Sequence, residues 1–170
     1  MTSPVRNLNP RRAALLPAGA VLALVVSGCG VLGGGADDAK RDASSGEVTE
    51  SAAASVFSLE VGDCIAIPDA DQMLVEQLDA MPCDQPHDAE IYAEQTLAKL
   101  PEQADLETLA GTFCLAEFEP FVGLAYEESV LEVTYLYPTE DSWAQGDDVL
   151  QCVVVHPTED VTATLRGSAV

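Results

Sequence analysis

The sequence predicts an α+β domain in which a small antiparallel β-sheet carries one main helix and is stapled by two disulfides. Three observations support this class. Short β-prone segments alternate with turn residues, one stretch has apolar residues at helical spacing, and four cysteines follow Cys29. Several short strands with one main helix favour an antiparallel sheet with the helix packed on it.

The sheet is expected to have about five strands, drawn from seven candidate segments of which one is ambiguous. Alternation of apolar and polar residues, or a high content of β-branched residues, marks the candidates. In chain order they are Ser55–Glu60, Cys64–Ile67, the ambiguous Gln77–Cys83, Ala89–Leu97, Val130–Tyr137, Val149–His156 and Thr162–Arg166. Val149–His156 is the most apolar of these segments, so we expect it to lie in the centre of the sheet.

The main helix is predicted over Pro101–Glu119. Its apolar side chains recur at helical spacing, at Leu106, Leu109, Ala110, Phe113 and Cys114. Pro120 is expected to end it, since a proline disfavours helical geometry in the residue before it.

Four cysteines remain after Cys29, and an even number in a small exported domain indicates disulfides. Of the three possible connectivities we predict the sequential one, Cys64–Cys83 and Cys114–Cys152. The alternative is a Cys2His2 zinc site, because Cys83 precedes His87 by the same spacing as Cys152 precedes His156. An oxidising location argues against free thiolates, so the prediction is no metal and no cofactor.

The first 28 residues are predicted to be a lipoprotein signal peptide. Basic residues precede a 14-residue apolar run, Ala13–Val26, which is too short for the roughly 20 residues of a membrane span. Cys29 follows small residues in the sequence Val26-Ser27-Gly28-Cys29 and is the predicted lipidation site. The pair Arg11-Arg12 leaves twin-arginine export open beside the favoured general secretory route.

Residues 29–55 are expected to form a flexible linker and residues 56–170 the folded domain. The linker is rich in Gly, Ala and Ser, and every aromatic residue follows it, beginning at Phe57. A random coil of this length would reach roughly 28 Å. The predicted location is therefore the extracytoplasmic face of the cell membrane, with the domain held by the lipid.

The net charge of −22 excludes nucleic acid as a partner. From Val56 onward, Lys99 and Arg166 are the only basic residues, against 24 acidic ones. Such a domain repels phosphate backbones and anionic headgroups. The negative charge is compatible with cationic proteins or divalent ions as partners. A divalent-ion sensor is therefore an additional hypothesis for the function.

Several short motifs together resemble the actinobacterial septum-formation domain family. They are Val61-Gly62-Asp63-Cys64, Cys83-x-x-Pro86-His87-Asp88-x-Glu90, Cys114 with Phe118, Trp143-x-x-Gly146, Cys152 and Leu165-x-Gly167-Ser168. The resemblance covers most of residues 60–168. It implies an extracytoplasmic protein linked to division-septum or envelope work, and it implies no catalytic residues.

His87, with Asp88 and Glu90, forms the candidate functional turn. A histidine beside a carboxylate can act as a general acid or base near neutral pH, whereas its structural role would be to hydrogen-bond the turn. Nucleophile-elbow and zinc-protease motifs are absent from the sequence. We therefore expect a non-enzymatic binding or scaffold module with an envelope or division protein as partner. The alternative is an envelope hydrolase or transferase using His87 with a nearby carboxylate.

Overall fold

A six-stranded antiparallel sheet is the framework of the computed structural model, which describes residues 38–68 and 76–170. These residues belong to one unit, Gly33–Val170. The strands are β1 (Ala52–Ser55), β2 (Cys64–Ala66), β3 (Gln77–Met81), β4 (Ala89–Thr96), β5 (Glu132–Leu136) and β6 (Val149–Val155). Their order across the sheet is β1–β3–β2–β4–β6–β5, and all neighbours are antiparallel.

One long helix, α1 (Gln103–Val122), packs on one face of this sheet. Its buried side chains are mostly four residues apart and so line a single stripe of the helix. They are Leu106, Ala110, Cys114, Phe118, Phe121 and Val122. The stripe packs against Tyr92 of β4 and Cys152 of β6. The predicted α+β class is confirmed.

Both predicted disulfides are confirmed. Cys114 of α1 is bonded to Cys152 of β6, with 5.3 Å between the Cα atoms, and both residues are fully buried. This bond joins the helix layer to the sheet layer. Cys64 at the start of β2 is bonded to Cys83 just after β3, again with Cα atoms 5.3 Å apart. It therefore ties together the ends of two neighbouring strands.

The predicted helix end is wrong by three residues. Pro120 lies inside α1, which continues to Val122. A proline lacks the N–H that would reach back one turn, and at this exposed position near the helix end its loss does not stop the helix. The actual stop is Gly123, whose φ of 85° is left-handed and whose N–H bonds Glu119 O at 2.9 Å.

Strands β4 and β6 are covered on both faces. Cys152 and Val154 face the helix, whereas Val153 belongs to the cluster on the opposite face. That second cluster contains Ile65, Leu78 and Ile91 from the sheet, with Val48 and Leu59 from outside it. Burial on both sides explains why β6 reads as a nearly unbroken apolar run.

The folded part begins before the expected boundary at residue 56. Strand β1 pairs with β3 over Ala52–Ser55, and Ala54 is fully buried. Upstream, Arg41 forms an isolated bridge with Val48, which is also buried. Within the linker predicted over 29–55, residues 38–55 are therefore packed against the domain, because their small apolar side chains complete the second cluster.

Two other predicted strands are replaced, one by a 3-10 helix and the other by bends and turns. Within Ser55–Glu60, residues Val56–Ser58 form a 3-10 helix, and the strand lies just upstream. Within Thr162–Arg166 the structure has bends and turns, and the nearby pairing is a single bridge between Val161 and His87. The ambiguous segment Gln77–Cys83 contains strand β3.

Two short helices complete the described elements. A 3-10 helix spans Tyr126–Glu128, and α2 spans Glu140–Trp143. Thr139 and Ser142 cap α2 with reciprocal hydrogen bonds. Trp143 packs at the edge of the cluster formed by Leu106, Leu150 and their neighbours. The segment between β5 and β6 therefore covers one end of the core.

Removing the Cys114–Cys152 bond should destabilise the fold more than removing Cys64–Cys83. The first pair is 38 residues apart and the second 19, and loop entropy predicts about 4 and 3 kcal/mol. Urea unfolding of the Cys114→Ala/Cys152→Ala and Cys64→Ala/Cys83→Ala variants measures both losses. Wild-type stability in the first variant would contradict its role in joining the two layers.

Candidate functional site

The turn between β3 and β4 brings Cys83 and His87 beside β2. It is closed by the Gln85 N–H, which donates to Pro82 O at 2.9 Å. The disulfide from Cys83 to Cys64 fixes its first half to the sheet. Cys64 is fully buried and Cys83 is half-buried. The predicted functional turn is thus a rigid, disulfide-anchored element.

His87 is enclosed by the protein, with only 1% of its surface exposed. Its backbone exchanges hydrogen bonds with Val161, at 3.0 and 2.7 Å. The ring Nδ1 lies 2.8 Å from Gln85 O. Since a carbonyl only accepts, Nδ1 carries a proton, and in the neutral ring Nε2 then carries the lone pair. Among residues 38–68 and 76–170, no hydrogen-bond partner meets this buried Nε2.

Glu90 is the second buried polar group of the site, also 1% exposed. Its carboxylate accepts from Thr164 Oγ1 at 2.8 and 3.0 Å and from the Leu165 N–H at 2.6 Å. Burial raises the pKa of Glu90, while these hydrogen bonds and the positive charge of Arg166 oppose the rise. Glu90 therefore holds the C-terminal segment against β4.

Asp88 forms hydrogen bonds with backbone groups of two other segments, which differs from the expected role beside His87. Its Oδ1 accepts the Ile67 N–H at 2.9 Å, and its backbone carbonyl accepts the His156 N–H at 2.7 Å. Both carboxylates near His87 thus satisfy backbone donors. The arrangement is that of a structural polar cluster.

The Arg41–Asp63 pair is a central feature that sequence reasoning missed. Two nitrogens of Arg41 donate to the two carboxylate oxygens of Asp63, each at 2.6 Å, and the same guanidinium also donates to Ser58 O and Gly46 O. Asp63 is 3% exposed. Arg41 lies within the predicted linker. The one sequence signal for its role is that the acidic chain has few basic residues with which its carboxylates can pair.

A cleft of about 790 Å³ lies beside the Cys64–Cys83 disulfide. Its walls carry acidic side chains, including Glu47, Glu60, Asp63 and Asp84. Arg166 is the basic residue on its rim, and its guanidinium lies 4.4 Å from the centre of the Phe121 ring. Cys83 and Glu90 line the cleft, so it borders the candidate turn.

The Cys2His2 zinc alternative is wrong, because Cys83 and Cys152 belong to different disulfides. His156 instead lies near Glu159, with Nε2 3.7 Å from Oε1. The sequence placed His87 beside Cys83 correctly. It did not show that the second cysteine beside His87 is Cys64 rather than Cys152.

These features define a small, acidic α+β domain stabilised by disulfides, with a rigid turn above a cleft. The chain belongs to the septum formation family, whose model matches residues 26–152. The match confirms the family resemblance and relates the role of this chain to septum formation. Neither a curated protein nor a solved structure matches the chain.

The predicted signal peptide (residues 1–28) and Cys29 lie outside the described residues. In the described ranges, 38–68 and 76–170, no helix is long and apolar enough to cross a membrane. The family is consistent with an envelope or extracytoplasmic location.

Replacing Arg41 should loosen the N-terminal segment. Arg41→Ala leaves the buried Asp63 carboxylate with the Glu60 N–H but without its charged partner, and we expect a loss of about 3 kcal/mol in the free energy of unfolding. Lys40→Ala is the matched control, since Lys40 pairs with Glu50 at an exposed site worth less than about 1 kcal/mol. Denaturant unfolding compares the two, and equal losses would contradict the central role of Arg41.

Glu90 should make stability fall as pH rises. Its pKa is raised above the ordinary 4.5, so the folded state holds the proton more tightly than the unfolded state. Its stabilising contribution is complete below about 4.5 and is lost as pH rises through the folded-state pKa, by at most about 1.4 kcal/mol per pH unit.

Glu90→Gln should remove this component from the pH dependence of unfolding measured in urea between pH 4 and 7. Glu94→Gln, at an exposed position on the same strand, is the control and should keep the wild-type slope. A Glu90→Gln profile parallel to wild type would show that Glu90 does not titrate in this window.

Proposed function

We propose that this chain is a lipid-anchored, extracytoplasmic binding or scaffold module of the cell envelope that acts in septum formation. The observation that carries the proposal is the family match over residues 26–152. The match runs from the predicted lipidation region through the helix to β6. It therefore treats the anchor-proximal segment and the folded domain as one unit.

Lipidation of Cys29 is supported by the cysteine count. Five cysteines are present, and four of them form the two disulfides. Cys29 is therefore the one left over, at the position where a lipoprotein signal is cut. Two disulfides in a small domain also fit an oxidising compartment outside the cytoplasmic membrane.

The anchor would hold the domain closer to the bilayer than the sequence suggested. Packing of residues 38–55 leaves only residues 30–37 between Cys29 and the folded part. A chain of eight residues spans at most about 28 Å. A partner would therefore meet the domain near the membrane surface, where its acidic face suits a cationic protein segment.

Binding is favoured over catalysis by the state of the candidate turn. His87 is buried, and both neighbouring carboxylates accept hydrogen bonds from the protein itself. A general acid or base must reach a substrate atom within about 3 Å. The hydrolase or transferase alternative would require this polar cluster to open, whereas a binding surface needs no such rearrangement.

The proposal is tested in living cells with a fluorescent fusion at the C-terminus. We expect the wild-type fusion to sediment with membranes and to be enriched at division septa. Cys29→Ser should release it from the membrane fraction, because the thioether to the lipid cannot form. Ser3→Ala, which changes the signal region without touching Val26–Cys29, is the control and should behave as wild type.

The two halves of the proposal give separate readouts. Membrane retention of Cys29→Ser would overturn the lipid anchor. Uniform fluorescence of a membrane-bound wild-type fusion throughout division would overturn the septal role. Crosslinking of the wild-type fusion in cells, followed by mass spectrometry, should recover an envelope or division protein that is lost with the released variant.

A further inference from the structure

Three soft or borderline metal ligands meet beneath the β3–β4 turn. A ring nitrogen of His87 and the sulfurs of Cys64 and Cys83 all lie within 4.8 Å of one another. They come from strand β2 and from both ends of the turn, so the fold rather than sequence proximity brings them together. Cys64 and His87 are buried and Cys83 is half-buried.

The histidine is held as a metal-binding histidine would be. Its Nδ1 donates to Gln85 O at 2.8 Å, which leaves the lone pair on Nε2. Metal-binding histidines commonly donate their other ring N–H to a backbone carbonyl in this way, since that fixes the tautomer and the ring plane. Nε2 is buried and meets no hydrogen-bond partner in the part of the chain that the structure describes.

The nearby carboxylates are committed elsewhere. Asp63 binds Arg41 through both oxygens, and Glu90 accepts from Thr164 and Leu165. The Cys64–Cys83–His87 cluster itself therefore offers two sulfurs and one imidazole, a ligand set that suits zinc better than calcium or magnesium. A fourth position would open toward the cleft that Cys64 and Cys83 line.

We propose that, in its dithiol form, the Cys64–Cys83 pair binds a zinc ion together with His87 Nε2, so that this site exchanges between a disulfide and a metal. A dithiol reductant supplies two electrons and two protons and is itself oxidised to a disulfide, whereas a phosphine supplies two electrons and becomes the phosphine oxide, with the oxide oxygen and the two protons taken from water; either one converts the Cys64–Cys83 disulfide to two thiols. Zinc then replaces the two thiol protons, which pass to water. Reoxidation by a disulfide of another molecule returns the bond and releases the ion.

Zinc binding requires the two sulfurs to move apart once their bond is broken. Zinc–sulfur bonds of about 2.3 Å at a tetrahedral angle place the two sulfurs about 3.8 Å apart. The sulfurs are bonded to each other in the disulfide form, so rotation of the two cysteine side chains must follow reduction to reach that separation. The second disulfide is a natural internal reference, because Cys114 and Cys152 are both fully buried and inaccessible to a reductant in the folded protein.

The test uses the mature full-length chain, treated with a phosphine reductant under native conditions and then freed of it. Iodoacetamide is added with or without equimolar zinc chloride, and the modified cysteines are mapped by mass spectrometry. We expect Cys64 and Cys83 to react without zinc and to be protected with it. One equivalent of zinc should bind, measured by competition with a chromogenic chelator.

His87→Ala should weaken zinc binding at least about tenfold, while His156→Ala, the matched control, should bind as wild type. Cys83→Ser, at a half-buried position, removes a second ligand and should also abolish protection of Cys64. Circular dichroism checks that each variant is folded. Equal alkylation with and without zinc, or unchanged affinity in folded His87→Ala, would overturn the proposal. Neither outcome bears on septal localisation, so the two proposals fail independently.

Discussion

The antiparallel pairing of β4 with β6 is the interaction on which the rest of the structure depends. These strands pair over most of their length, from Ala89 opposite Val155 to Thr96 opposite Val149. Because both are buried on both faces, each face needs its own cover. Helix α1 covers one face, fixed by Cys114–Cys152, and the N-terminal segment with Val48 and Leu59 covers the other. The sheet therefore requires this N-terminal segment to pack against its second face.

The same pairing positions the polar cluster. Glu90 lies on β4 opposite Val154, and it reaches the C-terminal segment through Thr164 and Leu165. His87 immediately precedes this strand and is bridged to Val161, which follows β6. Cys64 pairs with Glu90 across the β2–β4 ladder. Three distant parts of the chain thus converge on one disulfide, which makes it the natural place for a site that responds to metal or redox conditions.

The N-terminal segment connects this fold to the proposed role at the envelope. Arg41 uses its planar guanidinium to satisfy both oxygens of Asp63 and two backbone carbonyls, which a lysine could not do. This contact holds the chain against the domain from Arg41 onward. In the proposed lipid-anchored protein, it would keep the domain near the membrane surface.

The sequence by itself determined the α+β class, the main helix and the family, because each depends on local periodicity or on motifs that survive without coordinates; it predicted the sequential disulfides, and the structure decided among the three connectivities. Only the tertiary structure decided that Pro120 stays inside the helix, that residues 38–55 are folded, and that His87 meets Cys64 rather than Cys152. These outcomes depend on contacts between segments far apart in the chain. Arg41 and Asp63 are 22 residues apart, and no local pattern distinguishes a buried ion pair from two solvated charges.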